Sequence, residues 1–343
     1  MKYGHFKKSY IVGDNSKSCI IKNYISSDNY SEYMANRVEP ILNHIKRSGY
    51  IIGLNNIKLY YEKYIVENAN GNIVICHGIG EYTEKYNELI YYFIISGYSV
   101  FIIEHRGNGR SGRLGKDSGQ ISVEKLDYYI EDFKKFIDEI VIPNNKGRDL
   151  VLFAHSMGGG IGTIFLEKYL QYFKGSVLSS PMHKINTGKA PVFLAEIVCR
   201  IFVHFGKGDE YMPGQKAYNG QRRFPSRSTN CEERYNYQYN KILGNKYFQT
   251  GGASAKWYLE ASKGTRFLRN KKNISKVKIP ILLLQAECDT HVVPYAHYKF
   301  ANYADNCEVV IVNNGKHETF FEIDDITIPV IEKILYFIDS IFL

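Results

Sequence analysis

From Tyr50 onward the hydrophobic positions alternate between two periods. Short apolar, β-branched runs at Tyr50–Leu54, Ile57–Val66, Asn72–His77, Ser99–Glu104, Leu150–Ala154, Ser176–Ser180, Ile279–Gln285 and Val309–Val312 predict strands. Helical spacing predicts helices over Ser31–Arg47, Glu81–Ser96, Val123–Ile142 (stopped by Pro143), Gly158–Phe173, from near Pro294, and over Ile326–Phe342. Residues 1–30 are polar and poorly patterned. Strands alternating with helices predict the α/β class, a mostly parallel central sheet with helices on both faces. The early hairpin-like strands fit an antiparallel edge.

Residues 183–275 break this rhythm. They read as helical or irregular and are rich in aromatics, among them Phe193, Phe202, Tyr235, Tyr239, Phe248 and Trp257. With no repeat and no low-complexity linker, they are expected to form a cap docked on the core. The pattern thus divides the chain into an N-terminal extension with a helix (1–48), a core (49–182 and 276–343) and an inserted cap (183–275).

Composition adds constraints. In a chain of 343 residues with 44% hydrophobic positions, a folded globular protein is the default. The six cysteines show no paired spacing, which favours free thiols in a reducing compartment. The basic start Met1–Lys8 is followed by no apolar run, so no signal peptide is read, and no stretch approaches the roughly 20 apolar residues of a membrane span. A cytoplasmic protein is expected, at most attached to the inner membrane surface. The net charge of +9 is uneven: Pro181–Gly264 holds 13 Lys/Arg against 6 Asp/Glu. Such a basic cap would meet an anionic lipid surface, although Lys enrichment throughout the chain explains the excess equally well. Ala190–Phe205, largely apolar with Glu196 and Arg200 at i,i+4 spacing, reads either as a lipid-contacting helix or as one packed on the core.

The chemistry centres on Leu150–Gly160 (Leu-Val-Leu-Phe-Ala-His-Ser-Met-Gly-Gly-Gly), where a buried strand runs into Ser156 and a helix starts behind it. This is the context a nucleophile elbow requires, as in the α/β-hydrolase fold. The tight turn needs small residues on either side of the serine: Gly158 supplies one, and Ala154 replaces the usual glycine on the other. At a helix N-terminus, Ser156 lies where free N–H groups favour negative charge, and the Met157 N–H is aimed at a developing oxyanion. The second oxyanion donor is expected after the strand Asn72–His77, at Ile79, with Gly78 and Gly80 allowing close backbone approach. His77 is expected to order this loop, and Glu81 to sit in the first turn of the next helix.

A base and an acid must follow in the order Ser, acid, His. Asp289, past the strand Ile279–Gln285, and His317, past Val309–Val312, fill those places. Glu287 competes as acid, and His291 and His297 compete as bases. Gly107–Gly112 matches G-x-G-x-x-G, but no helix opens at its glycines, so a dinucleotide site is not read there. No His/Cys cluster has zinc-ligand spacing, and no nucleic-acid partner is expected.

These residues together resemble the serine aminopeptidase/monoacylglycerol lipase branch of the α/β-hydrolases, and within it the bacterial lysophospholipases called L-two. The resemblance rests on His77–Glu81, His105–Ser111 continuing to Leu114, Ala154–Gly159, Gly251-Gly252 with Trp257 behind them, Leu282–Glu287, and His317-Glu318 with Phe321-Glu322. It covers the chain from about Tyr50, most weakly in the cap. It makes Ala154 expected and implies a Ser156–Asp289–His317 triad. It also implies hydrolysis of the acyl ester of lysophospholipids, or of a lipid or other small ester, without metal or cofactor. A monoacylglycerol lipase or carboxylesterase is the alternative within the branch. A serine aminopeptidase, or a non-enzymatic binding protein on the same fold, stands further off.

Overall fold

In a computed structural model of the chain, residues 7–11, 24–188 and 190–342 are described. Among these, nine strands form one sheet: β1 (Lys7–Ile11), β2 (Lys46–Ile52), β3 (Lys58–Tyr64), β4 (Gly71–Cys76), β5 (Tyr98–Ile103), β6 (Leu150–His155), β7 (Gly175–Ser179), β8 (Ile281–Ala286) and β9 (Cys307–Val312). Their order is β1-β9-β8-β7-β6-β4-β5-β3-β2. Pairing is parallel from β1 across to β5 and antiparallel at β3 and β2. The expected parallel sheet with an antiparallel edge is present.

The central strands are buried along their whole length, which is why they read as continuous apolar runs. Their period of two still sorts side chains to opposite faces. Val74, Cys76, Phe101, Ile103, Leu152 and Leu283 face the helix Asp127–Phe136, through Tyr129, Ile130, Phe133 and Phe136, and the helix Ser156–Lys168, through Ile161, Ile164 and Phe165. Ile73, Ile75, Val100, Ile102, Val151, Phe153 and Leu284 face the helix Asn87–Ile95, the helix Asp324–Phe342 and residues 30–45. The last form one helix whose middle, Met34–Val38, has π-helical bonding.

Two local readings change. Residues 7–11, which carry no clear pattern of their own, form the β1 edge: their register against Glu308–Val312 is set by a partner strand 301 positions away, with Ser9 Oγ donating to Glu308 Oε1 (2.8 Å). Pro143 does not stop the helix before it. A π-helical stretch, Ile137–Val141, shifts the hydrogen-bond register ahead of the proline, and the Asn144 amide donates to the Ile140 carbonyl (2.7 Å).

Between β7 and β8 the chain leaves the sheet and forms the helices Val192–His204, Glu232–Gly244 and Ala255–Phe267. The first packs on the last, and Arg266 and Ser262 both bond Glu196. The middle one is tied to the core by Arg234, a fully buried side chain. Its guanidinium forks onto Glu88 (2.9 and 2.8 Å), bonds Asp324 (2.7 Å), and donates to the carbonyls of Ile25 (3.1 Å) and Glu322 (2.8 Å). The five described cysteines are free; Cys19 lies outside the described residues.

Candidate active site

The carboxyl ends of β4, β6, β8 and β9 converge beside the point where strand order reverses, the place an open α/β sheet offers a ligand. β6 ends at His155, and the chain turns sharply into the helix Ser156–Lys168. Ser156 makes the turn at φ +52°, a left-handed conformation that costs a side-chain-bearing residue on the order of 1 kcal/mol or more. The turn sets the start of the helix directly against the end of β4. A Cβ on Gly158 would lie 2.1 Å from the Cys76 carbonyl oxygen and 2.4 Å from that of His77, so glycine is required there.

The loops after β8 and β9 bring their residues to the serine. His317 Nδ1 lies 2.7 Å from Asp289 Oδ2, and its Nε2 lies 2.7 Å from Ser156 Oγ. Burial raises the Asp289 carboxyl. The His317 imidazole and the N–H groups of His291 (2.7 Å) and Val292 (3.1 Å) outweigh that effect and hold it down at about 2. An ionised carboxylate only accepts. Nδ1 therefore carries the ring proton, leaving Nε2 free to accept from the serine hydroxyl.

The competing residues bond groups other than Ser156 and His317. Glu287 is exposed and accepts the Asn314 N–H (2.9 Å). His297 is buried and bonded to the Pro181 carbonyl (2.8 Å). His291 packs its ring 4.7 Å from that of His317, but its Nε2 faces Ser228 Oγ (3.4 Å).

Among residues 78–80, hydrogen bonding singles out one N–H. The Gly78 N–H donates to Glu81 Oε2 (2.5 Å) and the Gly80 N–H to Asn108 Oδ1 (2.8 Å), whereas the Ile79 N–H between them has no partner among the described residues. On the other side, Met157 lies in the first helical turn, where N–H groups lack intrahelical acceptors. His77 is fully buried: Nε2 accepts the His105 N–H (2.9 Å), so Nδ1–H donates to the Gly78 carbonyl (2.7 Å), and burial pushes its pKa down. It orders the loop as a neutral ring.

Glu81 departs from its expected place. It precedes the short 3₁₀ turn Thr83–Tyr86, and its carboxylate folds back to take the Gly78 N–H, the Tyr86 hydroxyl (2.6 Å) and Lys85 (2.9 Å). Lys85 also bonds Glu318 (2.7 Å), next to His317, and so joins the loop after β4 to the loop after β9. Gly107–Gly112 turns out to buttress the site. Asn108 braces Gly80, while Arg113 donates to the carbonyls of Gly107 and Gly109 (both 2.7 Å). Gly109, at φ +52°, lies over Glu104, where a Cβ would come within 2.2 Å of the carboxylate. Burial pushes that carboxyl up to about 7 against the pull of Arg110. In the sequence these residues are marked by the stretches His77–Glu81 and His105–Leu114, which carry the resemblance, and Glu104 has no such mark.

Above Ser156 and His317 opens a cleft of about 980 Å³. Leu194, Val198, Met212, Ile242, Trp257 and Tyr258 supply apolar lining, whereas Arg223, Ser226, Arg227, Ser228 and Thr290 are polar. Among the described residues no three His, Cys, Asp or Glu side chains are grouped to hold a metal ion.

The family described as serine aminopeptidase, S33, matches residues 67–324. The chain belongs to that family. A probable lysophospholipase L2 of Haemophilus influenzae is 31% identical over 84% of this chain and 91% of its own length. Lysophospholipase L2 of Escherichia coli is 28% identical over 79% of this chain and 81% of its own. The α/β-hydrolase fold is shared with a soluble variant of the Saccharomyces cerevisiae monoglyceride lipase, solved with a substrate analogue. That likeness has a TM-score of 0.70 at 20% identity and covers 87% of this chain and 96% of that one.

Proposed function

We propose that this S33-family chain hydrolyses the acyl ester of lysophospholipids, with Ser156, His317 and Asp289 as its catalytic triad. The chain is a serine ester hydrolase. The observation that carries the mechanism is the continuous hydrogen-bonded line from Asp289 through His317 to Ser156 at the floor of an apolar cleft. Ser156 Oγ attacks the ester carbonyl as its proton passes to His317 Nε2. The N–H groups of Ile79 and Met157 take the oxyanion. His317 then returns the proton to the departing glycerol oxygen, which leaves as a glycerophosphodiester. Water, deprotonated by the same nitrogen, attacks the acyl-enzyme and frees the fatty acid. Asp289 holds the ring tautomer and stabilises the imidazolium.

The test is a substrate panel with matched acyl chains. The kcat/KM for a lysophospholipid should exceed that for the corresponding monoacylglycerol by about tenfold or more, with no turnover of proline amides. Preference for the monoacylglycerol or for the amides would overturn the substrate assignment.

A lipid substrate also accounts for the helix Val192–His204. Leu194 and Val198 line the cleft, while Phe193, Ile197 and Ile201 on its outer side are 60%, 48% and 49% exposed, next to the exposed Arg200 and Lys207. This face rests on the surface of an anionic bilayer, with the cleft opening beside it. Among the described residues no helix is long and apolar enough to cross a membrane. In flotation with anionic vesicles, raising the salt should weaken binding without abolishing it. The pair Phe193→Ser and Ile197→Ser should lower binding at least tenfold, since each side chain contributes about 1.5–3 kcal/mol when buried. Undiminished flotation of the double variant would exclude this face.

A further inference from the structure

We infer that Arg223 and Arg227 form the subsite for the substrate's phosphate, and so set the preference for a phosphorylated over a neutral glycerol ester. The inference rests on the lysophospholipase reading above. The two acids lining the cleft, Glu81 and Glu318, are both bonded to Lys85. The third carboxylate near the serine, Asp289, is bonded to His317. The two arginines of the lining have no such match. Neighbouring Arg222 pairs with Glu232 and Asn236, whereas among the described residues neither Arg223 nor Arg227 meets a carboxylate.

Arg227 is also held in place. Its Nε–H donates to Thr290 Oγ1 (3.1 Å) and one terminal N–H to the Thr290 carbonyl (2.9 Å), and its remaining guanidinium donors have no partner among the described residues. Thr290 directly follows Asp289, and Ser228 bonds both sides of the base, through its carbonyl to the Glu318 N–H (2.8 Å) and its hydroxyl to His291. The guanidinium is thus fixed by the loop that fixes the triad acid. Arg223 is anchored through its backbone N–H on the Tyr235 hydroxyl (2.7 Å). Phosphate recognition asks for planar donors without a competing anion, held in advance. A lysophospholipid carries an apolar chain and a phosphate with its ester between them. The cleft offers an apolar lining, a polar segment and Ser156 in the matching combination.

The experiment uses the full chain with p-nitrophenyl butyrate as a neutral reporter ester. Competing probes are sn-glycerol 3-phosphate, glycerol and inorganic phosphate, all free of bilayer. Glycerol 3-phosphate should inhibit competitively, more tightly than inorganic phosphate, and glycerol should not inhibit at the same concentration. In the double variant Arg223→Gln/Arg227→Gln the glycerol 3-phosphate inhibition constant should rise about tenfold or more. The ratio of kcat/KM for a soluble short-chain lysophospholipid to that for the matched monoacylglycerol should fall by a similar factor, mainly through KM. Arg227→Lys should keep part of both. An unchanged inhibition constant in the double variant overturns the subsite, even if lysophospholipids remain the preferred substrates. Equal inhibition by inorganic phosphate overturns its assignment to a headgroup. Inhibition that behaves as expected without lysophospholipid turnover leaves the subsite standing and removes the lysophospholipase reading instead.

Discussion

Replacing Ser156 by Ala is expected to lower kcat by about 10⁵-fold or more while leaving the fold intact. The size follows from the way the proposed triad works. In that mechanism His317 and Asp289 act only through the serine oxygen, so removing that oxygen removes the contribution of all three. What remains is binding and oxyanion stabilisation, worth about 10³–10⁴ over water. The variant should also fail to react with a fluorophosphonate probe that labels the native chain. Labelling of the variant, or activity within tenfold of the native level, would move the chemistry away from Ser156. Stability offers a second readout. Ala keeps the Cβ that makes φ +52° unfavourable, so its melting temperature should stay close to the native value. Ser156→Gly removes the Cβ and should be just as inactive yet about 1 kcal/mol more stable. An inactive variant that is also destabilised would instead point to a structural role for the hydroxyl.

How far the sequence foretells this site depends on what kind of force places each residue. The strands β4, β6, β8 and β9 are legible because burial on both faces writes continuous apolar runs into them. Ser156, Asp289 and His317 are legible because each lies just past one of those runs. Gly158 is legible because the turn leaves no room for a Cβ. The supports of the site are not. Glu81 looks like a helix-favouring acid in an early turn, and only the folded loop shows it taking the Gly78 N–H. Asn108 sits inside a glycine motif that suggests a nucleotide, yet its amide oxygen serves Gly80. β1 is five residues whose pairing depends wholly on β9. Asn108 and β1 are placed by contacts made across the fold, and Glu81 by a loop whose path the fold sets; none of the three carries a periodicity of its own.

Arg234 is the extreme instance, and replacing it by Met should destabilise the protein by about 3–5 kcal/mol, a fall in melting temperature on the order of 10 °C. In the sequence it is one more arginine in a basic, aromatic segment. In the structure its side chain is fully buried, and its chief partner Glu88 has a side chain only 3% exposed. The methionine fills most of the volume but leaves the Glu88 carboxylate in the interior with the Tyr30 and Tyr92 hydroxyls (2.9 and 3.0 Å) as its remaining donors. Asp324 loses less, being partly exposed and still bonded to the Ser27 N–H (2.8 Å). The cost is therefore mostly that of an unpaired buried charge, and it should be recovered when the charge is removed. Arg234→Met combined with Glu88→Gln should be more stable than Arg234→Met alone by 1 kcal/mol or more, a coupling that a simple packing defect would not give. The same helix carries Tyr235, Gln238, Tyr239 and Ile242 to the cleft wall. Loosening it should therefore raise KM for long-chain esters well below the melting temperature, while a short ester that reaches Ser156 without touching this helix is affected less. A single variant less than about 1 kcal/mol below the native chain, or a double variant no better than the single, would show that Arg234 does not pin this helix to the core.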